Sequence, residues 1–192
     1  MSESVIDVGR GIRLCCDTIG DPGDPPVVLI PGLGQQFHAW PQQFAETLAD
    51  RGLLVTRIDN RDVGRSTHMS FPAPKPWAIV RGGNDRRQYH LGDMARDAVG
   101  LLDALGYRDA HLVGISMGGM IAQTVAAHYP GRVRTLTSLM STTDPDDDQW
   151  LWDINFHGVV NGTRAFLPIL VEQDEGAIVN TSSVFGLAGI PN

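Results

Sequence analysis

Residues 110–120, Ala-His-Leu-Val-Gly-Ile-Ser-Met-Gly-Gly-Met, constrain this chain more than any other stretch. An apolar run, His111 to Val113, passes through Gly114-Ile115-Ser116-Met117-Gly118 into a helix-forming run from Met120 to His128. Strand, sharp turn, helix is the local structure that suits this order, with a serine at the apex. Gly114 and Gly118 fit such a turn because a β-carbon there would clash. Ser116 is thereby held above a sheet edge at a helix N-terminus, where free backbone N–H groups suit a developing oxyanion. A bare G-x-S-x-G arises by chance in roughly one chain of this length in fifteen. The flanking strand and helix carry the signal, and they point to Ser116 as a nucleophile rather than a bystander in a glycine-rich turn.

The rest of the chain alternates in the same manner. Val5–Val8 and Ile12–Cys16 are short strands joined at Gly9-Arg10-Gly11, a hairpin signal. Val27–Ile30 is a β-branched apolar run of the buried kind. Pro41–Asp50 is an amphipathic helix with proline in its first turn and Gly52 beyond its end. Leu53–Ile58 is the next strand, and residues 59–90 form a long loop rich in proline and arginine. Leu91–Leu105 carries Met94, Ala95, Ala98, Leu101 and Leu102 on one helical face, and Val133–Met140 is a strand. Strands alternating with helices predict an α/β fold, a mostly parallel sheet with helices on both faces. Trp150–Val171 and Ala177–Thr181 then predict one more helix and one more strand.

At 192 residues the chain is long enough for one domain with a substantial core. A formal net charge of −7 argues against nucleic acid as a partner. Cys15 and Cys16 are adjacent, so on a strand they point to opposite faces and are poorly placed to pair. Without a disulfide framework, and with no basic or apolar leader at Met1-Ser2-Glu3-Ser4, a cytoplasmic location is expected. No apolar run approaches the ~18 residues that a membrane span needs. The acidic stretch Asp144-Pro145-Asp146-Asp147-Asp148 fits a solvated loop better than a metal site, and no metal is expected.

Several motifs in order resemble the α/β-hydrolase superfamily. Ile58-Asp59-Asn60-Arg61-Asp62-Val63-Gly64-Arg65-Ser66 is similar to its D-x-R-G-x-G-x-S segment. With Pro31-Gly32-Leu33-Gly34, Trp40-Pro41 and Val113–Gly119, it looks like a bacterial branch close to the aclacinomycin-methylesterase-like hydrolases. The likeness spans about residues 5–143 and implies a truncated α/β-hydrolase core, read as residues 1–145. It also implies hydrolysis of a small ester-like substrate through an acyl-enzyme on Ser116, with no cofactor. A serine needs a base within reach and its oxyanion needs two donors. By position these donors are the backbone N–H groups of Leu33 and Met117. A dinucleotide reading of Gly32-Leu33-Gly34-Gln35-Gln36-Phe37 fails because Phe37 stands where the third glycine belongs.

The family order is serine, acid, histidine. After Ser116 the histidines are His128, at a predicted helix end, and His157, inside a predicted helix. Neither has the expected setting on a loop after a strand, so the triad base and acid are not recognised and low activity is expected. His38, His68, His90 and His111 precede the serine. Residues 146–192 are instead similar to an internal slice of short-chain dehydrogenases, through Asp153–Pro168 and Gly176–Ser183. That likeness gives Asn155 and Ser183 the positions of the family's assisting asparagine and serine. It also implies an alternative, a nicotinamide-dependent oxidoreductase. The pair Tyr-x-x-x-Lys is impossible, however, because the tyrosines are Tyr89, Tyr107 and Tyr129 and the only lysine is Lys75. With no phosphate-binding glycine loop either, both residues are expected to be inert. The junction near residues 144–150 suggests a chimera or remnant, whose tail would extend the hydrolase sheet or leave an unpaired edge.

Overall fold

The computed structural model describes residues 3–70, 89–141 and 178–179. Its chain order is β1 (Ser4–Asp7), β2 (Arg13–Ile19), β3 (Pro26–Ile30), α1 (Gln42–Ala49), β4 (Leu54–Ile58), α2 (Leu91–Ala104), β5 (Ala110–Ile115), α3 (Met117–His128), β6 (Val133–Leu139) and β7 (Ile178–Val179). The strands form one sheet in the order β1-β2-β4-β3-β5-β6-β7. The hairpin β1–β2 and the pair β2–β4 are antiparallel, and all other neighbours are parallel. The sheet is therefore mixed and mostly parallel, as the alternation of elements predicts.

Strand periodicity decides which side chains meet which layer. Val28 and Ile30 face α2 and α3, together with Leu14, Ile58, Leu112 and Leu136. Val28, Leu112 and Leu136 lie in register across three strands. Val27 and Leu29 point the other way and pack with Trp40, Ala45 and Val55 beside α1. The face of α2 predicted from its spacing, Met94, Ala95, Ala98, Leu101 and Leu102, is buried. Cys15 and Cys16 are both buried and unpaired. Burial pushes the Cys16 thiol up to about 12, so it behaves as a small apolar side chain.

Two ion pairs of the described residues are buried, Asp17–Arg57 and Asp97–Arg61. Asp17 and Arg57 are directly opposite on β2 and β4. Arg57 donates through Nε to Asp17 Oδ1 at 2.9 Å and through Nη2 to Oδ2, and a third bond reaches the Trp40 carbonyl at 2.8 Å. With every fork position occupied, the pair is tolerated at 4% and 6% exposure.

Two sequence expectations about element bounds are corrected here. Helix α3 begins at Met117, three residues before Met120, because Gly118 and Gly119 lie inside its first turn, packed against neighbouring strand ends. The first part of the loop after β4 is folded by its own side chains. Ser66 accepts from the Cys15 N–H and donates to the Asp59 carbonyl, while Asp62 accepts from the Met69 N–H. Strand β2 runs to Ile19 rather than Cys16, since its pairing with β4 continues through Ile19. The tail strand is seen in part: Ile178–Val179 pairs in parallel with Leu136–Thr137 at the sheet edge. The predicted helix 150–171 and the acidic stretch 144–148 lie outside the described residues. No helix among the described residues is long and apolar enough to cross a membrane.

Candidate active site

Strand β5 ends at Ile115 and helix α3 starts at Met117, leaving Ser116 alone on the turn. Its backbone lies at φ 53°, ψ −123°, a conformation that a residue with a β-carbon rarely adopts. Such strain, roughly 1–3 kcal/mol, persists only where the surroundings over-determine it. The surroundings here do so. The Ser116 N–H donates to the Leu139 carbonyl at 2.8 Å, and the Ser116 carbonyl accepts from the N–H groups of Gly119 and Met120 and from the Ser141 hydroxyl. The side chain of Ser116 is exposed.

The two elbow glycines are required by close approach. A β-carbon on Gly114 would sit 2.2 Å from the Gly118 carbonyl oxygen. One on Gly118 would sit 2.2 Å from the carbonyl oxygen of Ile30 and 2.6 Å from that of Pro31. Helix α3 is thus seated directly on the end of β3. The same contact brings the loop after β3 beside the serine, since a β-carbon on Gly32 would lie 3.4 Å from the Ser116 Cβ.

That loop is a tight turn closed twice on itself. The Gly32 N–H donates to Gln35 Oε1 at 3.0 Å, and the Gln35 N–H returns to the Gly32 carbonyl at 3.2 Å. Asn60 Nδ2 ties the preceding Pro31 carbonyl at 3.1 Å. Leu33 is 80% exposed. Among the described residues, neither the Leu33 nor the Met117 N–H has a hydrogen-bond acceptor. An exposed serine therefore stands on a strained turn between a strand and a helix, with the Gly32–Gln35 turn beside it.

A family model described as the alpha/beta hydrolase fold matches residues 25–175. The chain belongs to this family. The match runs through the junction expected near 144–150 and covers most of the stretch expected to resemble dehydrogenases, a likeness these comparisons do not support. The chain is 37% identical over 129 residues to rhodomycin D methylesterase DauP of Streptomyces sp. (strain C5), covering 67% of this chain and 39% of that protein. It is 32% identical over 147 residues to the putative carbamate hydrolase RutD of Caulobacter segnis, covering 75% and 49%. Among solved structures it is similar to epoxide hydrolase A from Mycobacterium thermoresistibile, with a TM-score of 0.61, 28% identity and coverage of 77% and 41%. The chain thus spans less than half the length of these three relatives.

In this alpha/beta hydrolase the segment 59–66 is scaffolding. Asp59 accepts from the Phe37 N–H at 2.6 Å, so it anchors the turn that follows the Gly32–Gly34 loop. Burial pushes its carboxyl above the usual range, against the pull of the Phe37 and Arg65 N–H groups. Gly64, at φ 56°, leaves room for it, since a β-carbon there would lie 2.0 Å from Asp59 Oδ2. Arg61 grips Asp97 of α2 at 2.6 and 2.7 Å and lies over the Tyr89 ring. The dinucleotide reading loses its acidic partner, because Asp59 is committed to Phe37.

No described side chain hydrogen-bonds to the Ser116 hydroxyl. His128 closes α3, the twelve-residue helix that Ser116 opens, so the helix length separates them by about 18 Å. His90 caps α2 opposite Asp93, His111 bonds Thr135 at 2.8 Å on β5, and His68 bonds the Gly64 carbonyl at 3.0 Å. His38 packs on Phe37 and faces Glu3 at 4.0 Å. His157, Asn155 and Ser183 lie outside the described residues. Among the described residues no cluster of three metal-ligating side chains occurs. Ser141, Gln35 and Asn60 were not among the residues expected at the site. The roles of Ser141 and Asn60 come from chain crossings that no local pattern announces, whereas Gln35 acts within its own turn.

Proposed function

We propose that this chain carries the nucleophile half of a serine esterase for small substrates. Ser116 is the nucleophile, and the Leu33 and Met117 N–H groups hold the oxyanion. The observation that carries this reading is the exposed serine at φ 53° on the turn between β5 and α3, beside the loop of Gly32. An oxyanion donor pair stabilises charge that develops only as the acyl carbon becomes tetrahedral. The methylesterase named among the relatives supports an ester as substrate.

On this reading the 192-residue chain turns over slowly. His128 sits at the far end of α3, and the remaining described histidines have other partners. Enzymes stripped of triad members keep an acceleration on the order of 10³ over water from the oxyanion hole and binding. The hydrolase part is residues 1–145, and residues 146–192 add β7 to its edge. The test is hydrolysis of p-nitrophenyl butyrate by this chain beside its Ser116→Ala variant. Weak turnover that disappears in the variant supports the reading, and equal rates for both refute it.

A further inference from the structure

Resting on the esterase reading, we infer that Ser141 is a positioning residue that aims the Met117 N–H at the oxyanion. The Ser116 carbonyl and the Met117 N–H belong to one planar trans peptide unit and point in opposite directions. Whatever holds that carbonyl therefore aims that N–H.

Three donors converge on the carbonyl: the Gly119 N–H at 2.9 Å, the Met120 N–H at 3.2 Å and the Ser141 hydroxyl at 2.8 Å. The first two belong to the opening turn of α3 and move with it. Among the described residues, Ser141 alone ties this carbonyl to a different part of the fold, 25 residues along the chain. The same segment grips the other side of the strained residue, where the Leu139 carbonyl accepts from the Ser116 N–H.

Two details show that this clamp is built into the backbone. Met140, between the two gripping residues, stands at φ 48°. A left-handed methionine is costly, and its effect is to let Leu139 and Ser141 both reach the elbow. Gly119 has no positive φ, yet a β-carbon on it would lie 2.6 Å from both the Cβ and the Oγ of Ser141. The glycine leaves the space that the serine occupies.

A reversal of the 116–117 peptide, a coupled change of ψ at Ser116 and φ at Met117, would turn the Met117 N–H away from the oxyanion. The hydroxyl of Ser141 opposes that reversal. It also polarises the carbonyl, which strengthens the N–H of the same peptide as a donor.

The experiment compares the full chain with its Ser141→Ala and Ser141→Thr variants. A fluorophosphonate probe labels Ser116: the Oγ–P bond forms, the P–F bond breaks, fluoride leaves and the hydroxyl proton passes to solvent. The limiting labelling rate, the half-saturating probe concentration, the melting midpoint and the Met117 amide resonance are all recorded. Removal of a whole oxyanion donor costs about 10²–10³ in rate, so loss of its aim is expected to cost on the order of tenfold. Ser141→Ala should lower the limiting rate by that factor, leave half-saturation unchanged and shift the Met117 amide. Ser141→Thr, which keeps the hydroxyl, should restore most of the rate.

An Ala variant labelled at the wild-type rate overturns the inference and leaves the esterase reading intact. So does a fall in melting midpoint without a fall in rate, or an effect confined to half-saturation. A wild-type chain that the probe does not label overturns the esterase reading and this inference with it.

Discussion

Replacing Gly118 with alanine tests whether the elbow is seated as tightly as its backbone implies. The new β-carbon would lie 2.2 Å from the Ile30 carbonyl oxygen and 2.6 Å from that of Pro31. Real β-carbons keep at least about 3.0–3.4 Å, so helix and strand end must separate by roughly 0.8–1.2 Å. Both neighbours are main-chain atoms, and no rotamer change relieves the contact. Overpacking of this kind costs about 1–3 kcal/mol, and alanine in a helix returns about 0.5–1 kcal/mol relative to glycine. A net loss of about 1–2 kcal/mol corresponds to about 3–6 °C in melting midpoint for a chain of this size. The separation also moves Met117 away from the turn that carries Leu33. A misplacement of about 1 Å in a catalytic arrangement can cost on the order of 10²-fold in rate. Thermal melts and p-nitrophenyl butyrate hydrolysis measure the two effects. Gly131→Ala is the control, because its β-carbon meets nothing within 4 Å. A Gly118→Ala chain that melts and reacts like the wild type would refute the close seating on β3.

Three further outcomes follow from the same geometry. Ser116→Gly should abolish turnover yet raise the melting midpoint by about 2–4 °C, because glycine adopts φ 53° without the strain of a β-carbon; an unchanged midpoint would show that the turn is not strained. Asp17→Ala should cost about 3–5 kcal/mol in urea unfolding by stranding the buried Arg57, and Asp17→Leu combined with Arg57→Met should cost less, which a double-mutant comparison decides. Burial first, and Arg134 beside it, hold His111 below its ordinary range. The unfolded chain then takes up a proton near pH 6.5 that the folded chain resists, so stability should fall as pH drops from about 7.5 through 6.5. Burial raises the neighbouring Asp109, but the Arg134 and Arg108 guanidiniums outweigh it and hold the carboxyl below the usual range, so its contribution is lost only at more acidic pH. His111→Gln should flatten melts between pH 7.5 and 5.5, and an equal slope in both chains would refute the assignment.

Much of the fold was legible because it depends on patterns local in sequence. The hydrophobic spacing of α2 gave its buried face correctly, and the β-branched run of β3 gave a strand covered on both sides. The start of α3 was misjudged at Met120, because Gly118 and Gly119 look like helix breakers to any local rule. They are tolerated there because Ile30, Ser138 and Ser141 press against them, and those contacts come from elements far apart in sequence. The D-x-R segment shows the same division. Its likeness to a family motif was visible, whereas the tie from Asp59 to Phe37, the grip of Arg61 on Asp97 and the hold of Asn60 on Pro31 depend on how β3, β4 and α2 come together.

The sequence by itself determined the kind of chain this is: a strand, a serine on a turn and a helix, set in an alternation of apolar strands and amphipathic helices. These follow from side-chain periodicity and from where glycine is needed, properties that a short window contains. Tertiary structure alone decided the working geometry of the turn. It set the loop of Gly32 within van der Waals reach of Ser116, placed His128 a helix length away, and brought Leu139 and Ser141 onto the backbone of the strained serine. The physical reason is that orienting a peptide unit takes hydrogen bonds from several chain segments at once. Which segments meet is fixed by strand order and register, not by the residues beside the site.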